Sequence, residues 1–203
     1  IFQHPNENFE INKLLNSLQL FPKRPHIIGV YALGKAQRVL SLLRQQGYDN
    51  EIFIHGSLEK LCNYYQKNEI FLGKVSKVNN TIKKNYDGEL ILAPPSAIKN
   101  VWSRKFDDPI ISQASGWMSI KQRAKQSLVE LPLIISDHAD WNELTDYIKY
   151  TEAENVYVTH GREDAIVHWC TQNKIKALAL SLSGRDDETE LWKNLVISLT
   201  NFY

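Results

Sequence analysis

Cysteine is scarce in this chain. Of 203 residues only Cys62 and Cys170 are cysteines, far apart and without a Cys-x-x-Cys spacing, so neither a disulfide framework nor a cysteine-based zinc site is suggested. A reducing, cytoplasmic setting is the expectation that follows. Long apolar runs are missing as well: no uninterrupted stretch approaches the roughly 18 residues that span a bilayer, and no charged-then-apolar leader opens the chain. A soluble protein with no membrane partner is therefore expected. An excess of one charge is absent too, since 24 basic and 23 acidic side chains leave a formal net charge of +1. Overall charge does not mark a nucleic-acid binder, and any basic surface must be local. The chain opens at Ile1 without an initiator methionine, which reads as a weak hint of a fragment.

What is present is a 43% hydrophobic fraction, enough for a substantial core in one large or two small domains. Ile11, Leu14, Leu15, Leu18 and Leu20 fall on one stripe of a helix over 8–20, which Pro22 and Pro25 end. A β-prone run from His26 to Tyr31 leads through Gly34 into a helix over 35–46 that Gly47 terminates. Strands over 51–55, 89–92, 109–113, 131–136, 156–159 and 176–182 then alternate with helices over 58–66, 141–150 and 163–173. The segment 183–190 reads as a polar loop, 191–202 as a closing helix, and the lysine-rich stretch 74–84 as an exposed loop or, alternatively, a nucleic-acid contact. Such alternation predicts an α/β fold with largely parallel strands.

Two strand ends carry the chemistry. Leu133-Ile134-Ile135 runs into Ser136-Asp137-His138-Ala139-Asp140-Trp141, and Val156-Tyr157-Val158 into Thr159-His160-Gly161. If those strands are neighbours, about 4.8 Å apart and pointing the same way, His138 and His160 share one sheet edge. Open α/β sheets place ligands beyond the carboxyl ends of their strands. A neutral imidazole is a good zinc ligand, yet two histidines fall short of the three or more protein ligands of a usual zinc site. On spacing alone, histidines satisfied by hydrogen bonds serve equally well.

Ser136-Asp137-His138-Ala139-Asp140 resembles the second signature motif of the metallo-β-lactamase/β-CASP nucleases, and Val158-Thr159-His160-Gly161 resembles the third, at a similar separation. Tyr31 to Arg38 resembles the strand-to-helix turn of the β-CASP domain, and Ala114-Ser115-Gly116-Trp117 its small-residue loop. The bacterial ligase-associated DNA exonucleases, also described as mRNA 3′-end-processing-like exonucleases, are the nearest subgroup. The resemblance implies a β-CASP-like domain over 1–130, followed over 131–203 by the C-terminal part of a metallo-β-lactamase αββα sandwich. It implies a zinc-dependent phosphodiesterase, with two zincs in the complete site. His138, flanked by Asp137, would assist the leaving group, and His160 would be a zinc ligand. Ser115, Gly116, Lys35 and Arg38 would contact substrate. DNA or RNA is the implied substrate, in DNA repair or RNA processing, with a DNA ligase or helicase of the same pathway as partner.

One departure is large. The His-x-His-x-Asp-His motif that binds both zincs in that family occurs nowhere in these 203 residues. The chain alone is therefore expected to lack nuclease activity, to expose a face that an upstream half would cover, and to form a homodimer or aggregate. The alternative function is a non-catalytic nucleic-acid-binding or scaffolding module without the metal centre.

Competing readings of single residues are open. Gly29 to Lys35 partly matches a phosphate-binding loop, but Ala36 replaces the hydroxyl that would hold magnesium. Lys35 and Arg38 begin a helix that either meets a phosphate or is simply solvated. Ser115-Gly116 is a phosphate contact or a tight turn. Trp117 and Trp141 stack on bases or pack. Asp140 orients an imidazole or, with Glu143, closes a capping box. His4, His26, His55 and His168 read as structural or exposed, and the absence of Gly-x-Ser-x-Gly argues against a serine hydrolase.

Overall fold

Strands of a parallel sheet are covered on both faces, so they read as continuous apolar runs. The strands β1 (His26–Gly29) and β4 (Leu90–Ala93) are such runs, with every residue buried. The computed structural model describes residues 3–79, 85–159 and 163–180 and the backbone of 196–198. It divides into two units, one ending at Ala139 and the other beginning at Asp140.

The first unit opens with α1 (Glu7–Leu20), β1, α2 (Lys35–Gln45), β2 (Ile52–Ile54), α3 (Gly56–Lys67), β3 (Val75–Lys77) and β4. It continues through a short helix α4 (Pro95–Ile98), a 3-10 turn at Val101–Lys105, β5 (Ile110–Ala114), α5 (Lys121–Gln126) and β6 (Leu131–Leu133). Its six strands lie in the order β3-β2-β4-β1-β5-β6, all parallel. Alternation along the strands sends Ile28, Ile52, Ile54, Leu90 and Leu92 to one face, against Ile11 and Leu14 of α1, Val39, Leu40 and Leu43 of α2 and Leu58 of α3. Ile27, Phe53 and Ile91 point to the other face, against Ala97, Tyr86 and Phe106.

The second unit holds α6 (Trp141–Tyr150), β7 (Asn155–Thr159), α7 (Glu163–Gln172), β8 (Lys176–Ala179) and β9 (Val196–Ser198). Its parallel sheet runs β8-β7-β9, with Ile148, Val156, Val158, Ile166 and Cys170 as the core. No helix among the described residues is long and apolar enough to cross a membrane.

The α/β architecture with a parallel sheet agrees with the sequence reading, and three local expectations are corrected. Val75–Lys77, within the lysine-rich stretch expected to be a loop, pairs with β2 as the edge strand of the first sheet. Val196–Ser198, expected within a closing helix, is the strand β9. The runs leading to His138 and His160 are not sheet neighbours, because β6 pairs with β5 and β7 with β8 and β9.

Candidate functional site

The order of the first sheet creates a crevice. The connection leaving β1 leads to β2 on one side, and that leaving β5 leads to β6 on the other, so the chain diverges beyond the carboxyl ends of two adjacent strands. Such switch points are where open α/β sheets hold ligands. Three sequence-distant segments meet there: Val30 to Lys35 after β1, Ser115-Gly116 after β5, and Ile135 to His138 after β6.

Lys35 is the anchor of this edge. Its side chain is only 3% exposed, and its ammonium lies 2.6 Å from Asp137 Oδ1, which is 32% exposed. The same ammonium donates to the Ile135 carbonyl oxygen at 3.3 Å. Burial by itself would raise the Asp137 pKa, but the hydrogen bond and charge of Lys35, helped by His138, outweigh it and hold the carboxyl below its usual value. A nearly buried lysine needs such a partner, so this pair also ties the start of α2 to the loop after β6.

His138 stands at the rim, 53% exposed, with Nε2 3.7 Å from Asp137 Oδ1. Its backbone N–H donates to Ser136 Oγ at 3.2 Å, a local turn that fixes how the Ser-Asp-His segment leaves β6. Gly116 faces that segment. A Cβ built there would lie 3.0 Å from His4 Nε2 and 3.4 Å from Ser136 Oγ, so a glycine lets the loop after β5 approach closely. Ser115 Oγ accepts from the Trp117 N–H at 3.3 Å and caps the turn Gly116–Ser119, and its own N–H donates to Leu133 O at 3.1 Å.

Arg38 sits one turn beyond Lys35, and its guanidinium pairs with Glu7 of α1 at 2.7 Å. The first turn of α2 is satisfied internally: Gly34 N–H donates to Gln37 Oε1, and Ala36 N–H to Tyr31 O. The arrangement thus differs from an open phosphate-binding helix start. Lys35, Asp137, His138, Ser115 and Gly116 are brought together, Arg38 points to α1, and His160 lies outside the described residues.

Pairing to Lys35 was not legible in the sequence, and neither was the place of His4 beside Gly116. Elsewhere, His26 is buried between Ser17 Oγ and Arg24 O, and His55 Nδ1 accepts from the Ser57 N–H at the start of α3. Asp140 and Glu143 close a reciprocal capping box on α6, and Trp141 packs on the second core. The Trp117 ring lies under the Arg123 guanidinium, 3.6 Å from its centroid.

These residues do not by themselves fit a zinc centre. Asp137 is already neutralised by an ammonium at 2.6 Å, which competes with a cation for the same oxygen, and His138 is one donor where three or more are needed. A cleft of about 600 Å³ lined by Leu18, Tyr48, Asp87 and Glu89 opens at the opposite, amino-terminal end of the strands, away from this chemistry.

No family model matches the chain. It is similar to a protein of Opitutus terrae named "Probable DNA ligase", 20% identical over 161 residues, which is 79% of this chain and 15% of that protein. The chain therefore spans only a small part of the length of that relative.

Proposed function

We propose that this chain is the β-CASP-like part of a nucleic-acid phosphodiesterase, acting on DNA, with the edge beyond β1, β5 and β6 as its reacting edge. The observation that carries the reading is the convergence of Lys35, Ser115-Gly116 and Asp137-His138 at a sheet switch point, the positions that the nuclease resemblance marks. The relative named for DNA ligation supports a DNA-related role. His138, exposed at the rim, is the proton donor to the departing 3′ oxygen. Asp137, whose carboxyl Lys35 holds below its usual pKa, lies 3.7 Å from His138 Nε2. Lys35 acts through Asp137 as a positioning residue. His160, outside the described residues, is the residue that the resemblance would have hold a zinc ion, and a zinc ion bound there would supply a water of lowered pKa.

A second reading, a nucleic-acid-binding module without catalysis, is favoured by one observation: the Asp137 carboxylate is already paired with the Lys35 ammonium at 2.6 Å. Zinc content and digestion of end-labelled DNA and RNA of one sequence, measured on the full reading frame that encodes this chain, separate the two. Zinc and DNA shortening that both disappear in His160→Ala support the enzyme. DNA bound but left intact by the unaltered protein supports the binder.

A further inference from the structure

A local cluster of rings and cations lies on the same sheet edge, beyond β2, β3 and β4. Five rings stack edge to face: Phe53 and Tyr86 at 5.1 Å, Tyr86 and Phe106 at 5.3 Å, Phe106 and Trp102 at 5.1 Å, Trp102 and His55 at 4.9 Å. The first three are buried, whereas Trp102 and His55 are half-buried and reach the surface. Cations surround that outer end. Lys105 Nζ lies 4.7 Å from the centre of the Trp102 ring, Arg104 and Lys99 are exposed on the same segment, and Lys77 closes the edge strand β3. Burial first, then the charges of Lys105 and Lys77, push the His55 pKa down, so both ammonium groups act on this imidazole. Of the acids on these segments, Glu59 is paired with Lys77 at 3.0 Å and Asp108 with Arg24 at 2.9 Å, while Asp107 is exposed. Lys77, Lys99, Arg104 and Lys105 still outnumber them.

We propose that Trp102, His55, Lys105, Arg104 and Lys77 form a contact surface for single-stranded nucleic acid, which guides a strand along the sheet edge toward Asp137 and His138. This rests on the nucleic-acid reading above. Aromatic faces interleaved with cations suit a strand, because bases stack on rings while phosphates take the charges. An acidic peptide would use the charge and leave the ring idle. Lys105 covers the Trp102 face; its transfer to a phosphate opens that face to a base. Four strand spacings separate β2 from β6, or about 19 Å at about 4.8 Å each, so one strand can touch both places.

Fluorescence anisotropy of labelled oligo(dT) with the full chain tests this surface. Trp102→Leu, which keeps apolar volume, is expected to weaken binding about tenfold, while Trp102→Phe stays close to the unaltered protein. Lys105→Gln is expected to weaken binding and to flatten the slope of log K against log salt by about 0.7. Unchanged binding in Trp102→Leu and Lys105→Gln overturns the surface, as does absent binding by the unaltered protein or equal competition by poly-glutamate. Cleavage is read separately. A protein that cuts DNA but binds it unchanged in these variants loses the surface and keeps the proposed reaction; one that binds through Trp102 without cutting keeps the surface and loses the reaction.

Discussion

Lys35 Nζ and Asp137 Oδ1 lie 2.6 Å apart, joining the first residue of α2 to the loop beyond β6. Lys35→Met keeps the stem and removes the charge, leaving a partly buried carboxylate without its cation. The expected loss is about 1–3 kcal/mol, discounted from a fully buried pair because Asp137 is partly solvated. Adding Asp137→Asn to Lys35→Met should recover part of it. Urea unfolding of the three variants checks this; a double variant no more stable than Lys35→Met contradicts it.

The same pair sets an acid limit. Because the folded pKa of Asp137 lies below its unfolded value, its contribution is present above about pH 4 and is lost as pH falls through the folded pKa. Stability measured from pH 6 to pH 2 should fall less steeply in Asp137→Asn than in the unaltered protein.

His26 titrates in a different window. Its Nδ1 contacts the Arg24 carbonyl oxygen at 3.1 Å, which can only accept, so Nδ1 carries the proton and Nε2 accepts from Ser17 Oγ at 2.9 Å. Burial pushes its pKa below the usual value. Its stabilisation is therefore complete above about pH 6.5 and declines as pH falls toward the folded pKa. His26→Gln should flatten the dependence of the urea midpoint between pH 7 and pH 5; an unchanged slope contradicts the assignment.

Alternation of strands and helices was legible because α1, α2, α6 and β4 carry their own periodicity and stop signals. The edge strand Val75–Lys77 was not. It is polar and partly exposed, and only its pairing with β2 makes it a strand. Sheet membership of β6 and β7 was likewise invisible, since both are short apolar runs ahead of a histidine, and pairing partners are set by tertiary packing. Within the site, the Ser-Asp-His and Ser-Gly segments stood out by residue type. Lys35 was marked as a substrate contact, but its ion pair with Asp137 was not legible, because a lysine at a helix start ordinarily points into water.

In the second unit, Asp140 Oδ1 accepts from Glu143 N–H at 3.0 Å and Glu143 Oε2 from Asp140 N–H at 2.8 Å. Asp140→Ala should cost about 1 kcal/mol and speed hydrogen exchange in the first turns of α6, whereas Asp140→Ser should retain most of the protection. Equal exchange in both variants would count against the cap.

The assignment of His138 as proton donor has a direct measurement. Cleavage by the full reading frame is compared on ordinary DNA and on DNA whose scissile 3′ oxygen is replaced by sulfur, a leaving group that departs without a proton. His138→Ala should slow cleavage of ordinary DNA by about 10²–10⁴-fold and cut the sulfur-substituted strand at nearly the unaltered rate. Equal slowing on both substrates, or no cleavage of either by the unaltered protein, would contradict it.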